Sequence, residues 1–309
     1  MYLEHFGLKR LPFCITPDAR AFYRGSDRGV ALQALCFAIS RGEGITKVVG
    51  EVGTGKTMLC RMLPLALKTK FDWVYLPHPS LSPEHILHTI AYELGVNIGD
   101  RDDKLAVMRK LQKTLLVRHA KGRHVVVLIE EAQGMPIETL EEIRLLSNLE
   151  TDRHKLIQIV LFGQPELDEK LSASHIRQLK ERISYSIQLQ PLSQAEVLQY
   201  ANFRLRAAGY RGRNLFDRRN AKLLYKYSGG LIRRINILCD KTLLSAYAHN
   251  RLEIADQDIR SAAQDCRYKP RWYWMPMLRV AVLAACCILG GEYTGTGIDR
   301  LGEMYDQAG

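Results

Sequence analysis

Residues 50–57 read Gly50-Glu51-Val52-Gly53-Thr54-Gly55-Lys56-Thr57 and fit the pattern G-x-x-x-x-G-K-[ST] without a gap. The glycines let the backbone curl, so that successive N–H groups point inward at phosphate oxygens. A β-branched run at residues 45–49 predicts a strand before this stretch, and residues 56–67 predict a helix after it, whose positive N-terminal end also favours an anion. The stretch therefore predicts a P-loop that binds a nucleoside triphosphate, with ATP as the expected cofactor.

Four side chains carry the expected chemistry of this site. Lys56 is expected to reach the β- and γ-phosphates, and the Thr57 hydroxyl to ligate Mg²⁺. A second acidic element should follow a buried strand of the same sheet, and the run HVVVLIEE supplies it with Glu130 and Glu131. We expect Glu130 to hold the Mg²⁺ shell and Glu131 to orient and polarise the water that attacks the γ-phosphate. The alternative is a pair of solvent-exposed glutamates at a strand end.

The order of predicted elements indicates an α/β fold. Strands are predicted at residues 45–49, 71–76, 125–129, 156–162 and 183–189, and helices at residues 29–40, 56–67, 82–94, 104–120 and 140–149. Strands that alternate with helices predict a parallel sheet covered on both faces. After Pro191 only helices are predicted, at residues 193–208, 217–228, 232–249 and 256–266. The division is therefore a P-loop core (1–190), a small all-helical lid domain (191–266) and a basic linker (267–271).

The charge and the cysteine content limit the partners and the cellular compartment that we expect for the chain. The formal net charge is +11, and from Pro191 to Pro270 there are 15 Lys and Arg against 7 Asp and Glu. This excess is either a solvated helical surface or a contact face for an anionic polymer or lipid headgroups. Its densest part holds Arg204, Arg206, Arg211, Arg213, Arg218 and Arg219. Seven cysteines form no C-x-x-C pair, which indicates a reducing cytosol for the main body.

Together with what lies between and after them, these motifs resemble AAA+ ATPases of bacterial secretion and pilus systems. The resemblance is to the ExeA type of the general secretion pathway, and most closely to the MshM-type ATPase of mannose-sensitive haemagglutinin (MSHA) pilus biogenesis. It covers about residues 1–265 and rests on these segments: Met1-Tyr2, Phe6-Gly7-Leu8, Pro12-Phe13, Pro17-Asp18, the P-loop with Leu59-Cys60-Arg61, Glu130-Glu131-Ala132-Gln133, LEEIRLLSNLE (140–150), LFGQPEL (161–167), RQLKERI (177–183) and Ser228-Gly229-Gly230.

The resemblance implies roles for residues beyond the two motifs. Gln164, at the end of a strand beside the acidic one, matches the polar sensor that detects the γ-phosphate. Arg182, and less clearly Arg177, matches the place where such proteins present an arginine finger to a neighbouring subunit, which implies a homo-oligomer. Arg233 matches the sensor arginine of the helical lid. Each of these arginines is also compatible with a plain surface charge, since arginines at helix ends complement the helix dipole.

Two positions depart from the family pattern. The acidic pair usually begins with aspartate, whereas Glu130 stands first here, and its extra methylene moves the carboxylate outward. Because Mg²⁺ demands near-ideal octahedral geometry, we expect slow hydrolysis even where binding is intact. Ile232 replaces the proline that usually precedes the lid arginine, which leaves the placement of Arg233 open.

The carboxy-terminal segment has the length of a membrane span. Trp272 to Gly291 contains a single charged residue, Arg279, and follows a basic stretch with an aromatic cluster at the expected interface. We expect residues 272–291 to form a single-pass transmembrane helix and residues 292–309 a short periplasmic tail without peptidoglycan-binding activity. The alternative is an interfacial or lid-packed helix over residues 280–289, since an embedded arginine is costly unless its side chain snorkels.

Together with this resemblance, the sequence predicts an ATP- and Mg²⁺-dependent AAA+ ATPase on the cytoplasmic face of the bacterial inner membrane. It would assemble with itself and with inner-membrane proteins of a type IV, MSHA-like pilus or a related secretion machine. One alternative is a DNA-associated AAA+ regulator of the transposition type, with nucleic acid as the less favoured partner. Another is a nucleotide-dependent scaffold with little turnover.

Overall fold

The computed structural model describes residues 2–25, 27–67, 70–77, 82–99, 102–173 and 176–270. Met1–Tyr268 form one compact unit. The predicted transmembrane helix at 272–291 and the tail at 292–309 lie outside the described residues. Within the described part of the chain, no helix is both long enough and apolar enough to cross a membrane.

A five-stranded sheet forms the centre of the first part of the chain, and every strand pair in it is parallel. Its strands are β1 (Ile45–Gly50), β2 (Phe71–Leu76), β3 (His124–Ile129), β4 (Ile157–Gly163) and β5 (Ile183–Leu189). Their order is β2-β3-β4-β1-β5. The apolar runs of β3 and β4 are buried because helices cover both faces of the sheet. The predicted parallel sheet is confirmed.

Eight α-helices come before or between these strands in the described residues: α1 (Tyr2–His5), α2 (Asp27–Arg41), α3 (Lys56–Ala66), α4 (Pro83–Glu93), α5 (Lys104–Ala120), α6 (Ile137–Leu146), α7 (Glu166–Leu171) and α8 (Arg177–Glu181). Helices α2 and α3 cover one face of the sheet, and α4, α5 and α6 cover the other. The Ser82 side chain caps α4, and Asp103 caps α5.

The main differences from the predicted helices lie after β3. Helix α6 runs three residues earlier than the predicted range 140–149. It begins after Pro136, whose fixed φ starts a helix, and the chain leaves it to form an antiparallel bridge between Glu150 and Lys155. Helices α7 and α8 were not predicted, because six and five residues are too few to show a helical period.

Four further helices follow the sheet: α9 (Gln194–Ala207), α10 (Arg218–Ser228), α11 (Ile232–Ala248) and α12 (Asp256–Asp265). Capping boxes start α9 and α10. These helices bury an apolar core of their own, which also takes in side chains of the N-terminal segment, including Phe6 and Phe13. The Arg204 Nε atom donates to the Pro12 carbonyl oxygen at 2.7 Å. The first residues of the chain therefore pack on the helical part, directly beside the P-loop.

Candidate functional site

The P-loop connects β1 to α3 at the carboxyl edge of the sheet, in a conformation that needs its glycines. Gly53 and Gly55 have φ values of +83° and +106°, which side-chain-bearing residues rarely adopt. A Cβ atom at Gly50 would lie 2.8 Å from Thr54 Oγ1 and 2.9 Å from the Leu189 carbonyl oxygen. The curled backbone predicted from the sequence is therefore present, and it fits a phosphate cradle.

Lys56 lies buried at the start of α3, with its amine turned back to the loop. Its Nζ atom donates to the carbonyl oxygens of Gly50 at 2.7 Å and Glu51 at 3.2 Å. Burial lowers the pKa of Lys56, whereas the nearby carboxylate of Glu131 opposes that shift. The loop thus holds a cation where the sequence predicts one for the β- and γ-phosphates.

Glu130 follows β3 and is buried, with 7% of its surface exposed. The Thr57 hydroxyl donates to Glu130 Oε2 at 2.8 Å, so the two predicted metal residues lie together. A hydroxyl and a carboxylate are ligands that Mg²⁺ accepts, usually with phosphates and water completing the shell. The described residues contain no group of three or more His, Cys, Asp or Glu that could hold a metal.

Tyr75 is a neighbour of this site that the sequence did not indicate. It lies in β2 opposite Leu128 of β3, and its hydroxyl donates to Glu130 Oε1 at 3.1 Å. Burial and the charge of Glu130 raise the pKa of Tyr75 to about 12, so the hydroxyl keeps its proton. Both oxygens of the Glu130 carboxylate therefore accept a hydrogen bond from a hydroxyl group.

Glu131 adopts the left-handed region with φ 52° and ψ 39°, which is uncommon for a residue with a side chain. Its Oε2 atom accepts hydrogen bonds from Gln133 Nε2 at 2.7 Å and from Gln164 Nε2 at 2.9 Å. The Gln164 backbone N–H donates to Gln133 Oε1 at 3.1 Å. Burial alone would raise the pKa of Glu131, but the two amide hydrogen bonds and the charge of Lys56 lower it.

The structure therefore brings Glu131 and Gln164 together, as expected for side chains at the ends of adjacent parallel strands. Gln133 joins them. It belongs to the motif Glu130-Glu131-Ala132-Gln133, which was recognised in the sequence without a role for its last residue.

A cleft of about 400 Å³ opens beside the P-loop, between the N-terminal segment and helices α9 and α11. This is the size of a small-molecule pocket. Apolar and aromatic side chains form much of its wall, among them Ile15, Pro17, Phe22, Tyr23 and Tyr200. No local pattern in the sequence indicated this cleft, because its walls come from distant parts of the chain.

The three arginines suggested by the resemblance have different surroundings. Arg233 lines the cleft, and its backbone N–H donates to the Gly53 carbonyl oxygen at 3.2 Å. Arg182 is exposed at the end of α8 and does not line the cleft. Arg177 forms an exposed ion pair with Glu181, with Nε and Oε1 3.0 Å apart. Arg182 therefore lies outside this chain's own site, and its role toward a neighbouring subunit stays a prediction.

The loop between strand and helix, the buried lysine and the threonine bonded to the acid of another strand are the features of a P-loop fold. Residues 39–171 match the family model described as an AAA domain. The chain is also 38% identical over 293 residues to General secretion pathway protein A of Aeromonas hydrophila, which covers 94% of this chain and 53% of that protein. The chain thus spans about half the length of this relative.

The chain is also similar to two further proteins. The chain is 26% identical over 201 residues to the Mu-like prophage FluMu DNA transposition protein B of Haemophilus influenzae, covering 63% of this chain and 64% of that protein. The solved ORC2 protein of Aeropyrum pernix, in ADPNP-ADP complexes, superposes with a TM-score of 0.59 at 18% identity, over 78% of this chain and 67% of that one. The structural similarity concerns the fold.

Proposed function

We propose that the protein binds ATP with Mg²⁺ and hydrolyses it. The observation that carries this proposal is the hydrogen bond between Thr57 and Glu130 beside the buried amine of Lys56. Lys56 would contact the terminal phosphates, Thr57 and Glu130 would hold the metal shell, and Glu131 would take a proton from the attacking water. Bound Mg²⁺ would supply charge neutralisation at the phosphates.

The biological setting is part of the same proposal. Similarity to General secretion pathway protein A along 94% of the chain supports a role in a secretion machine. We assign the protein to a type IV, MSHA-like pilus or a related secretion system, as a homo-oligomer on the cytoplasmic face of the inner membrane. Its partners would be inner-membrane proteins of that system, and residues 272–291 would anchor it.

Two substitutions test the enzymatic proposal. Lys56→Ala should abolish binding of a fluorescent ATP analogue, because the phosphates lose their buried cation. Glu131→Gln should bind the analogue like the wild type and lose phosphate release, because the amide cannot accept the proton. Lys222→Ala, on the exposed face of α10, is the control and should change neither. Unchanged phosphate release in both site variants would refute the assignment, and little turnover in the wild type would favour the nucleotide-dependent scaffold.

The shared-site part of the proposal has its own test. Arg182→Ala and Glu131→Gln should each be inactive alone. In a mixed oligomer, the intact site of an Arg182→Ala subunit can face the intact arginine of a Glu131→Gln subunit. Under random mixing in equal amounts, roughly a quarter of the interfaces should therefore recover activity. No recovery on mixing, or full activity of Arg182→Ala alone, would refute an arginine supplied by a neighbouring subunit.

A DNA-associated role is the second candidate. Similarity to a DNA transposition protein favours it, as do exposed basic residues of the lid that form no salt bridge within the described chain: Arg211, Arg213, Arg218, Lys222 and Lys226. Retention on duplex DNA should then fall steeply as salt rises, because phosphate contacts release counterions. No salt-dependent retention would remove this candidate.

A further inference from the structure

Helix α5 and the turn after it form a basic segment on the outer side of the sheet, away from the P-loop. Residues 104–123 contain seven Lys and Arg and no Asp or Glu. Lys104 pairs with Glu142, and Lys110 pairs with Asp102, each at 2.5 Å. Within the part of the chain that the structure describes, Arg109, Lys113 and Lys121 are exposed and form no salt bridge. Cationic side chains therefore point into solvent along the helix.

Aliphatic side chains lie exposed among these cations. Leu105, Leu116 and Val117 are 56%, 42% and 48% exposed. Lys113, Leu116 and Val117 lie four, seven and eight positions after Arg109, which places them on neighbouring parts of one helix face. The outer surface thus combines exposed apolar groups with free positive charge. We call Arg109, Lys113, Leu116, Val117 and Lys121 the α5 face.

A depression of about 410 Å³ lies at the carboxyl end of this face, and its lining holds four cations and one carboxylate. Arg118 Nη1 lies 2.6 Å from Asp72 Oδ2, and Arg123 Nε donates to Asp72 Oδ1 at 2.8 Å. The hydrogen bonds from Arg123 and Arg118 lower the pKa of Asp72, so the aspartate stays ionised between them. Lys113 and Lys121 remain for a phosphate group that enters the depression.

We propose that the α5 face docks on the anionic surface of a phospholipid bilayer. Phosphate headgroups complement its lysines, and the exposed Leu116 and Val117 suit the boundary between headgroups and acyl chains. A nucleic acid backbone would satisfy only the cations and would leave these aliphatic side chains without a counterpart. The contact goes beyond the proposed ATPase function, and it is separate from the anchor proposed at residues 272–291.

Amine footprinting of the full chain locates the contact. The protein is treated with an acylating reagent in the presence of phosphatidylglycerol vesicles or pure phosphatidylcholine vesicles, and modified lysines are quantified by mass spectrometry. Lys113 and Lys121 should become protected by the anionic vesicles only. Lys222 and Lys226, exposed on α10, are the internal controls and should react equally in both samples. Equal modification of Lys113 and Lys121 with both kinds of vesicle overturns the proposal.

A matched pair of variants measures the strength of the contact. Lys113→Gln with Lys121→Gln should weaken binding to anionic vesicles by about 25-fold, at about fivefold for each basic side chain near such a surface. Lys222→Gln with Lys226→Gln removes the same charge elsewhere and should leave that affinity unchanged. Any binding to vesicles through other segments is the same in both double variants. The difference between their vesicle affinities therefore measures the contribution of the α5 face. An equal loss in both pairs would mean a general charge effect and would overturn the proposal.

The same footprinting experiment tests two other possible occupants of the α5 face. Protection of Lys113 and Lys121 by duplex DNA, with none from anionic vesicles, assigns the face to nucleic acid and overturns the lipid proposal. Protection that rises with protein concentration, without vesicles, assigns it to a second copy of this chain and overturns it as well. Binding of the fluorescent ATP analogue is measured in parallel and should be unaffected in both variant pairs, so failure of the nucleotide proposal would be seen separately.

Discussion

Gly53 offers a sharp test of how the P-loop and the helical part of the chain cooperate. Its φ of +83° is strained for any residue with a side chain, and a Cβ atom there would lie 2.8 Å from Arg233 Cβ. The Gly53 carbonyl oxygen also accepts the Arg233 backbone N–H at 3.2 Å. Gly53→Ala should therefore push the start of α11 away from the loop in addition to straining the backbone.

Gly122→Ala separates these two effects, because Gly122 has a φ of +71° and a Cβ atom there would meet nothing within 4 Å. Both substitutions place alanine in the left-handed region, which costs about 1–2 kcal/mol. A cost of this size should lower the melting temperature by roughly 2–8 °C in either variant. Only Gly53→Ala also disturbs the contact with Arg233, so it alone should lose nucleotide affinity, by about tenfold or more, equivalent to about 1.4 kcal/mol.

The assay combines thermal unfolding with titration of a fluorescent ATP analogue in the presence of Mg²⁺. The expected pattern is a loss of stability in both variants, larger in Gly53→Ala because of its clash with Arg233, with weakened nucleotide binding in Gly53→Ala alone. Wild-type affinity in Gly53→Ala would show that the loop does not depend on close approach to α11. A comparable loss of affinity in Gly122→Ala would show that binding merely follows global stability. Either outcome refutes the reasoning.

Further expected outcomes come from other close contacts. Gly230→Ala should fail to yield stable protein, since its Cβ atom would lie 2.1 Å from a backbone carbonyl oxygen; a wild-type melting curve would contradict this. Tyr75→Phe should raise the Mg²⁺ concentration needed for nucleotide binding by about fivefold, because Glu130 loses a hydrogen bond worth about 1 kcal/mol; its metal-free affinity should stay constant. Gln133→Ala should keep nucleotide affinity and change the pH dependence of turnover, because Glu131 loses a donor; an unchanged profile would exclude this.

The strand-loop-helix unit around Gly50 and Lys56 could be predicted because all its signals are local. The apolar runs predict the buried strands. Because parallel strands place their carboxyl ends at one edge of the sheet, Thr57 and Glu130 are expected to lie close together there. To predict that Glu131 and Gln164 lie close together, one must also know that β3 and β4 are adjacent. The family resemblance implied this adjacency, and the sheet order confirms it.

Long-range contacts could not be predicted in the same way. Tyr75 is one aromatic among several in β2, and only the register with β3 places its hydroxyl on Glu130. Phe6 and Phe13 belong to a segment without periodicity, so nothing local indicated that they pack among helices α9 to α12 and bring a wall of the cleft to the P-loop. The predicted range of α6 lay three residues too far along the chain, because leucines at helical spacing continue past the end of the helix.

The side chains that contact Glu130 change what is expected from a glutamate in place of aspartate at this position. A longer side chain alone would place the carboxylate loosely, but hydrogen bonds from Thr57 and Tyr75 hold its two oxygens. Glu131, in contrast, is bound by two amides that lower its pKa and make it a weaker base. Gln164 reaches that carboxylate from the strand end where a γ-phosphate sensor is expected. Catalysis would therefore depend less on the length of Glu130 than on whether bound nucleotide draws Gln164 away from Glu131.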